Sequence, residues 1–181
     1  MSSLAIHHSF IWPNFLTQKS SLVELFIVGI QNVYWAENQL VRILLRMKNA
    51  TTSKALEHAI HNHLELTKGH ASRLEHIFEL LDQTIDAKKC DAITALAHEA
   101  EEIIEYTDEG TATRDLGIIM IGQKIAHYEL ATYTGLAKLA MTIGRDDVAV
   151  LLEETLEEEK ESIELLTTMS DTIAQKAQAE N

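Results

Sequence analysis

Apolar residues recur at helical spacing along almost the whole chain, and its one proline, Pro13, lies ahead of every such stretch. Proline breaks helix interiors because it lacks an N–H and clashes with the preceding turn, so long helices meet little interruption here. The chain has seven glycines and little of the alternating Val-, Thr- and aromatic-rich pattern that marks strands. The fold class this predicts is all-α.

Five helical segments follow from the periodicity. The first runs from about Ser20 to Lys48, with Leu22, Phe26, Ile30, Val33, Leu40, Val41, Leu44 and Met47 on its apolar stripe. Asn49 to Ser53 supplies a turn and a hydroxyl cap. The second, about Lys54 to Leu81, turns Leu56, Ile60, Leu64, Leu74, Ile77 and Phe78 inward and ends at the polar stretch Asp82 to Lys88. A shorter helix from about Lys89 to Tyr106 reads as a crossover. Beyond a TDEGTAT loop, a helix from about Arg114 to Thr142 carries Ile118, Ile121, Ile125, Leu136 and Ala140. Gly144 marks a stop, and the last helix runs from about Asp147 to Ala174.

Two long antiparallel hairpins joined by a helical crossover predict a four-helix bundle of the ferritin-like kind, with the additional helix between the second and third bundle helices. A chain of 181 residues suits one domain. The expected division is an N-terminal arm over residues 1–16, the bundle over 17–176 and a C-terminal tail over 177–181. The arm holds His7, His8, Phe10, Trp12 and Phe15 and is expected to pack on its own bundle or on a second subunit.

The formal net charge of −13 argues against nucleic acid and anionic membranes as partners. No apolar run approaches the roughly 18 residues of a membrane span. The first basic residue is Lys19, so a basic leader region is not evident, and Cys90 is the sole cysteine. A reducing, cytoplasmic setting is expected. Gly-rich phosphate loops, cysteine pairs and hydrolase nucleophile motifs are absent from the sequence.

Three glutamates do not fit an ordinary core. At 100° per residue, Glu37 and Glu129 fall within about 20° of the centre of their apolar arcs, and Glu159 within about 30°. An ionised carboxylate there must be protonated, paired or bound to a cation. Counting from the turns, Glu37 lies 13 residues before Ala50 and His63 lies 13 after it, while Glu129 and Glu159 are each 15 from Gly144. These four residues are therefore expected at one depth. Together they offer the oxygen and nitrogen donors of bundle-bound iron or manganese.

Taken singly, each glutamate is more often a structural ion pair, and His63 a hydrogen-bonded core histidine. Glu65 points outward. Thr67 and His70 face inward, but His70 is about 10 Å along the axis from His63, too far to share its ion. His70 therefore reads as a structural residue or as a donor behind the ligands. In the acidic run from Glu153 to Glu161 only Glu159, and less surely Glu158, turns inward. His58, His61, His76 and His127 are expected at the surface, and Tyr34, Tyr128 and Tyr133 chiefly in aromatic packing.

The same residues carry a resemblance. From Leu22 to Met169 the chain resembles the YciE/YciF ferritin-like stress-protein family, through YWAENQL (Tyr34 to Leu40), HLELTKGHASRLE (His63 to Glu75), QKIAHYELATY (Gln123 to Tyr133) and TLEEEK (Thr155 to Lys160). The resemblance implies a ferritin-like bundle, often dimeric, with a dinuclear iron or manganese centre of the rubrerythrin or ferritin kind; it supplies no reaction. Two positions depart from it. Where the family motifs read H-L-E-E-T and V-E-H-Y-E, this chain has Leu66 and Ala126.

A dinuclear site draws on about six protein ligands, so four fit one ion better than two. The expectation is a stress-associated homodimer binding iron or manganese through Glu37, His63, Glu129 and Glu159, with ferroxidase or peroxide-handling activity toward dioxygen or peroxide. The alternative is a metal-free, non-catalytic structural or interaction bundle with a degenerate site. Leu66 and Ala126 favour the alternative; the four-residue cluster favours the metal.

Overall fold

The computed structural model describes residues 21–180. The arm expected over residues 1–16 lies outside them. Five helices follow in order: α1 (Ser21–Ala50), α2 (Lys54–Leu80), α3 (Asp91–Tyr106), α4 (Ala112–Thr142) and α5 (Asp146–Glu180). Helices α1 and α2 form one antiparallel hairpin and α4 and α5 the other. Across the hairpins α1 packs on α4 and α2 on α5, and α3 crosses the outside of α1 and α4. This is the expected ferritin-like helical bundle with its crossover helix. No described helix is long and apolar enough to cross a membrane.

The turns are built from the residues that marked them. At the α1/α2 turn the Ser53 side chain accepts from the Leu56 N–H at 3.5 Å. The buried Asp115 carboxylate, from α4, accepts from the N–H groups of Thr52 (2.7 Å) and Ser53 (2.8 Å). One side chain thus fastens the first hairpin to the second. At the α4/α5 turn Gly144 takes φ 75°, the left-handed region that glycine enters without steric cost. The Arg145 N–H reaches the Ala140 carbonyl (2.9 Å) and the Gly144 N–H that of Met141 (3.1 Å), the double bond of a Schellman stop.

The last helix corrects the expected tail. The boundary after residue 176 falls inside α5, which continues unbroken to Glu180. Two contacts hold this last stretch in place. Ala177 is buried, and the Glu180 carboxylate accepts from the Ala112 N–H at 2.8 and 3.1 Å, at the free N-terminus of α4.

The core divides in two. One apolar cluster gathers Leu40, Leu44, Ile60, Leu64, Ile118 and Ile125, and the other Phe26, Val33, Leu74, Phe78, Tyr133 and Leu152. In α1, α2 and α4 the chain passes from one cluster to the other through Glu37, through Thr67 and His70, and through Glu129. Glu159 lies between Leu152 and Ile173 on α5, which belong to opposite clusters. A layer of buried polar side chains is thus sandwiched between two apolar ones.

Candidate metal centre

The three glutamates expected to turn inward do so, and His63 reaches two of them, Glu129 and Glu159, rather than Glu37. Glu37, Glu129 and Glu159 are each 0% exposed. His63 Nε2 lies 3.8 Å from Glu129 Oε2 and 4.0 Å from Glu159 Oε1. Glu65 is exposed and pairs with Lys68, and His58, His61, His76 and His127 are exposed as well.

His70 belongs with them, which corrects its reading as a residue behind the site. Its Nδ1 is 3.6 Å from Glu37 Oε2 and 3.7 Å from Glu159 Oε1. The helix ends explain this. With α1 ending at Ala50 and α2 starting at Lys54, the hairpin is centred near Thr52, and the residue level with Glu37 is Thr67. His63 and His70 therefore flank that level, about one helical turn to either side. They remain too far apart along the axis for one ion, yet each meets the carboxylates from its own side. Two triads result, Glu37–His70–Glu129 and His63–Glu129–Glu159, and they share Glu129.

Each imidazole is held through one ring nitrogen, so that the other faces inward. Ser162 donates its hydroxyl proton to the Glu158 carbonyl at 3.0 Å, so toward His63 Nδ1, also at 3.0 Å, its oxygen acts as acceptor. His63 then carries a proton on Nδ1 and turns Nε2 toward Glu129 and Glu159. His70 donates from Nε2 to Glu158 Oε2 at 2.9 Å, which leaves Nδ1 facing Glu37 and Glu159. Arg73 braces Glu158 with bonds of 2.9 and 3.2 Å to its two oxygens and bonds Thr155 Oγ1 at 2.6 Å. A carboxylate or hydroxyl behind each histidine is the arrangement that fixes tautomer and ring orientation in metal ligands.

Burial shapes the charges. It pushes Glu129 well above the ordinary carboxylate range, with Glu37 adding to the shift. Burial and then Glu129 raise Glu159 to about 9, against the downward pull of His63 and His70. For His70 burial acts downward, but Glu37, Glu159 and Glu158 outweigh it and the imidazole is raised. Burial acts upward on Glu158, yet Arg73 and His70 hold its carboxyl below the usual value. Tyr133, raised by burial and by Glu37, stays a neutral donor and bonds Glu37 Oε1 at 2.5 Å. Elsewhere Tyr34 donates to Glu75 at 2.8 Å and Tyr128 lies 3.0 Å from the Cys90 thiol.

A divalent ion fits this donor set. Glu37 Oε2, both oxygens of Glu129, both of Glu159 and His70 Nδ1 are buried and have no hydrogen-bond partner. Separations of 3.6 to 4.0 Å across the cluster exceed a hydrogen bond. Atoms each about 2.0–2.2 Å from a common ion stand about 3–4 Å from one another. Oxygen and imidazole donors are of the kinds that can hold a divalent metal ion.

Residues 21–179 match the family model described as a domain of unknown function, DUF892. The chain belongs to the DUF892 family. Protein YciF of Escherichia coli (strain K12) is 39% identical to it over 151 residues, 83% of this chain and 90% of YciF. The crystal structure of that protein, described as a stress protein, superposes with a TM-score of 0.82 at 38% identity, covering 87% of this chain and 99% of that one. YcfI of Rhodopseudomonas palustris, for which a structural role has been suggested, gives a TM-score of 0.79 at 32% identity over 82% of this chain and 94% of its own. A Xanthomonas campestris pv. campestris protein shares the fold at 23% identity and a TM-score of 0.71, over 87% of this chain and 96% of that one. These structures agree with the helical bundle found here.

Proposed function

We propose that this DUF892 protein is a ferritin-like metalloprotein of the stress response that holds iron or manganese at two adjacent positions and handles dioxygen or peroxide in the manner of a ferroxidase or peroxidase. The observation that supports it is the set of buried, partnerless oxygen and nitrogen atoms turned toward one another from four helices. Glu37 and His70 would hold one ion, His63 and Glu159 the other, and Glu129 would bridge them. Redox-active ions held there would supply electron exchange with the oxidant.

The chain's own residues prepare that chemistry. Tyr133 orients Glu37 by a short hydrogen bond. Glu158 and Ser162 keep the lone pair of each imidazole facing the ligand side. The apolar clusters on either side keep bulk water from competing for the carboxylates.

Metal analysis after anaerobic reconstitution with Fe(II) or Mn(II) tests the reading. The expected result is about two ions per chain, one for each triad, with both lost in Glu129→Ala. A protein that takes up neither metal would sink it.

One observation favours a second reading, a metal-free structural protein. Burial raises Glu129 and Glu159, so both can be neutral at ordinary pH, and Tyr133 already serves one oxygen of Glu37. A suggested structural role for the relative YcfI points the same way. Against it stand the remaining partnerless atoms, which protonation alone does not satisfy.

A further inference from the structure

Next to the polar layer, on the side of the α1/α2 turn, the bundle is incompletely filled. A cavity of about 150 Å³ lies among α1, α2, α4 and α5. Its floor is formed by buried aliphatic side chains, among them Leu44, Ile60, Ile118 and Ile125. Exposed Asn62, Glu161 and Leu165 stand at its rim, where it reaches solvent between α2 and α5. At its inner side is His63, the imidazole whose Nε2 faces Glu129 and Glu159.

Three residues keep the space open. Ala126 is 1% exposed and contributes a single methyl group, and Leu66 lines the wall without filling it. Gly122 contributes no side chain, and a Cβ there would come within 3.3 Å of Leu166 Cδ1. Empty apolar space in a close-packed interior forfeits dispersion contacts, so it favours any occupant that restores them. Water is a poor occupant, since it needs two or more polar partners and the floor provides none.

Size and charge define the occupant. Apolar cavities of this volume take up benzene in preference to water. Neither lysine nor arginine lines the space, and Glu158 and Glu161 do, which disfavours anions. We propose that the cavity binds one small, neutral, hydrophobic molecule of about benzene's size, seated against His63. The binding does not rest on the metal reading. If that reading also holds, the same molecule sits beside the imidazole of one ion position, where an organic substrate would be placed.

Benzene titrated into the full chain in the presence of a chelator tests the proposal, followed by methyl and histidine-ring NMR signals. Saturable, one-to-one shifts are expected in the methyls of Leu44, Ile60, Ile118 and Ile125 and in the His63 ring. Ala126→Leu, which fills the space, should weaken binding at least tenfold while circular dichroism shows an intact helical fold. Should that variant not fold, Leu66→Phe narrows the same cavity from the half-buried α2 wall and should weaken binding likewise. Unmoved methyls in the wild type would overturn the proposal, as would undiminished binding in a folded cavity-filling variant. Methyl shifts that leave the His63 ring signal still would refute the seat against His63.

Discussion

Replacing Glu129 by leucine separates the metalloprotein from the structural bundle, because the sign of its effect should depend on metal. Glu129 is fully buried, and neither of its oxygens has a hydrogen-bond partner. An unsatisfied buried polar group costs about 1–3 kcal/mol, a cost that an apolar side chain of similar volume does not carry. Leucine also removes the repulsion from Glu37 that helps raise Glu129. With a chelator present, Glu129→Leu should therefore be more stable than the wild type by about 1–3 kcal/mol. For a domain of this size that is a rise in melting temperature of roughly 2–4 °C per kcal/mol. With Mn(II) at about a hundred times its dissociation constant, a site bound only in the native state gains about 2.7 kcal/mol. The wild type should show that gain and the variant, having lost the residue common to both triads, should not. The stability order then narrows or reverses. Urea denaturation of both proteins with chelator and with Mn(II) reads all four values. A variant less stable than the wild type in chelator would refute the argument from orphaned oxygens, and a wild type that gains nothing from Mn(II) would refute the metal.

Metal-free protein should lose stability as pH rises. Burial lifts Glu159 from 4.5 in the unfolded chain to about 9, so between these values the native state holds a proton that the unfolded state has released. This contribution is complete below about 4.5 and fades toward 9, and the raised His70 acts in the same direction; denaturation midpoints that climb from pH 6 to 8 in chelator would contradict it. Metal affinity should run the other way, increasing over the same range as ions displace these protons. Glu158→Gln removes the carboxylate that orients His70 and should weaken metal binding about 10- to 100-fold. Competition against a calibrated chelator measures that loss, and unchanged affinity would show that Arg73 and Thr155 hold the site without Glu158.

The bundle was legible because helix ends, stripes and turn residues all pointed to the same arrangement. Ser53, Thr111 and Gly144 cap or stop helices as their chemistry suggests. The inward turn of Glu37, Glu129 and Glu159, with His63 beside the last two, was legible too, since stripe phase survives an error of a residue or two in the turns. Pairing across the hairpin does not. Centring the first turn at Ala50 set His63 opposite Glu37, whereas the observed helix ends set Thr67 there and bring in His70. The available signal was the spacing of seven between two inward histidines, which marks two levels on one face, one for each triad. Arg73, which acts through Glu158, and Ser162, which acts on His63, gave no signal, because both are half-buried polar residues that the apolar stripes do not mark.

Leu66 and Ala126 take on a different meaning in three dimensions. Read along the chain, they are missing carboxylates that weaken the case for a second ion. Both triads form without a carboxylate at either position. Both residues instead line the cavity that reaches His63. A glutamate at position 126 would set a charged group in nearly complete burial, at a cost of several kcal/mol unless it were paired or bound to an ion, and would occupy the space that alanine leaves. Losing a possible ligand and gaining room for a neutral molecule beside the centre are therefore one physical change. The departures from the resembling motifs argue less for a dead site than for one with a different neighbour.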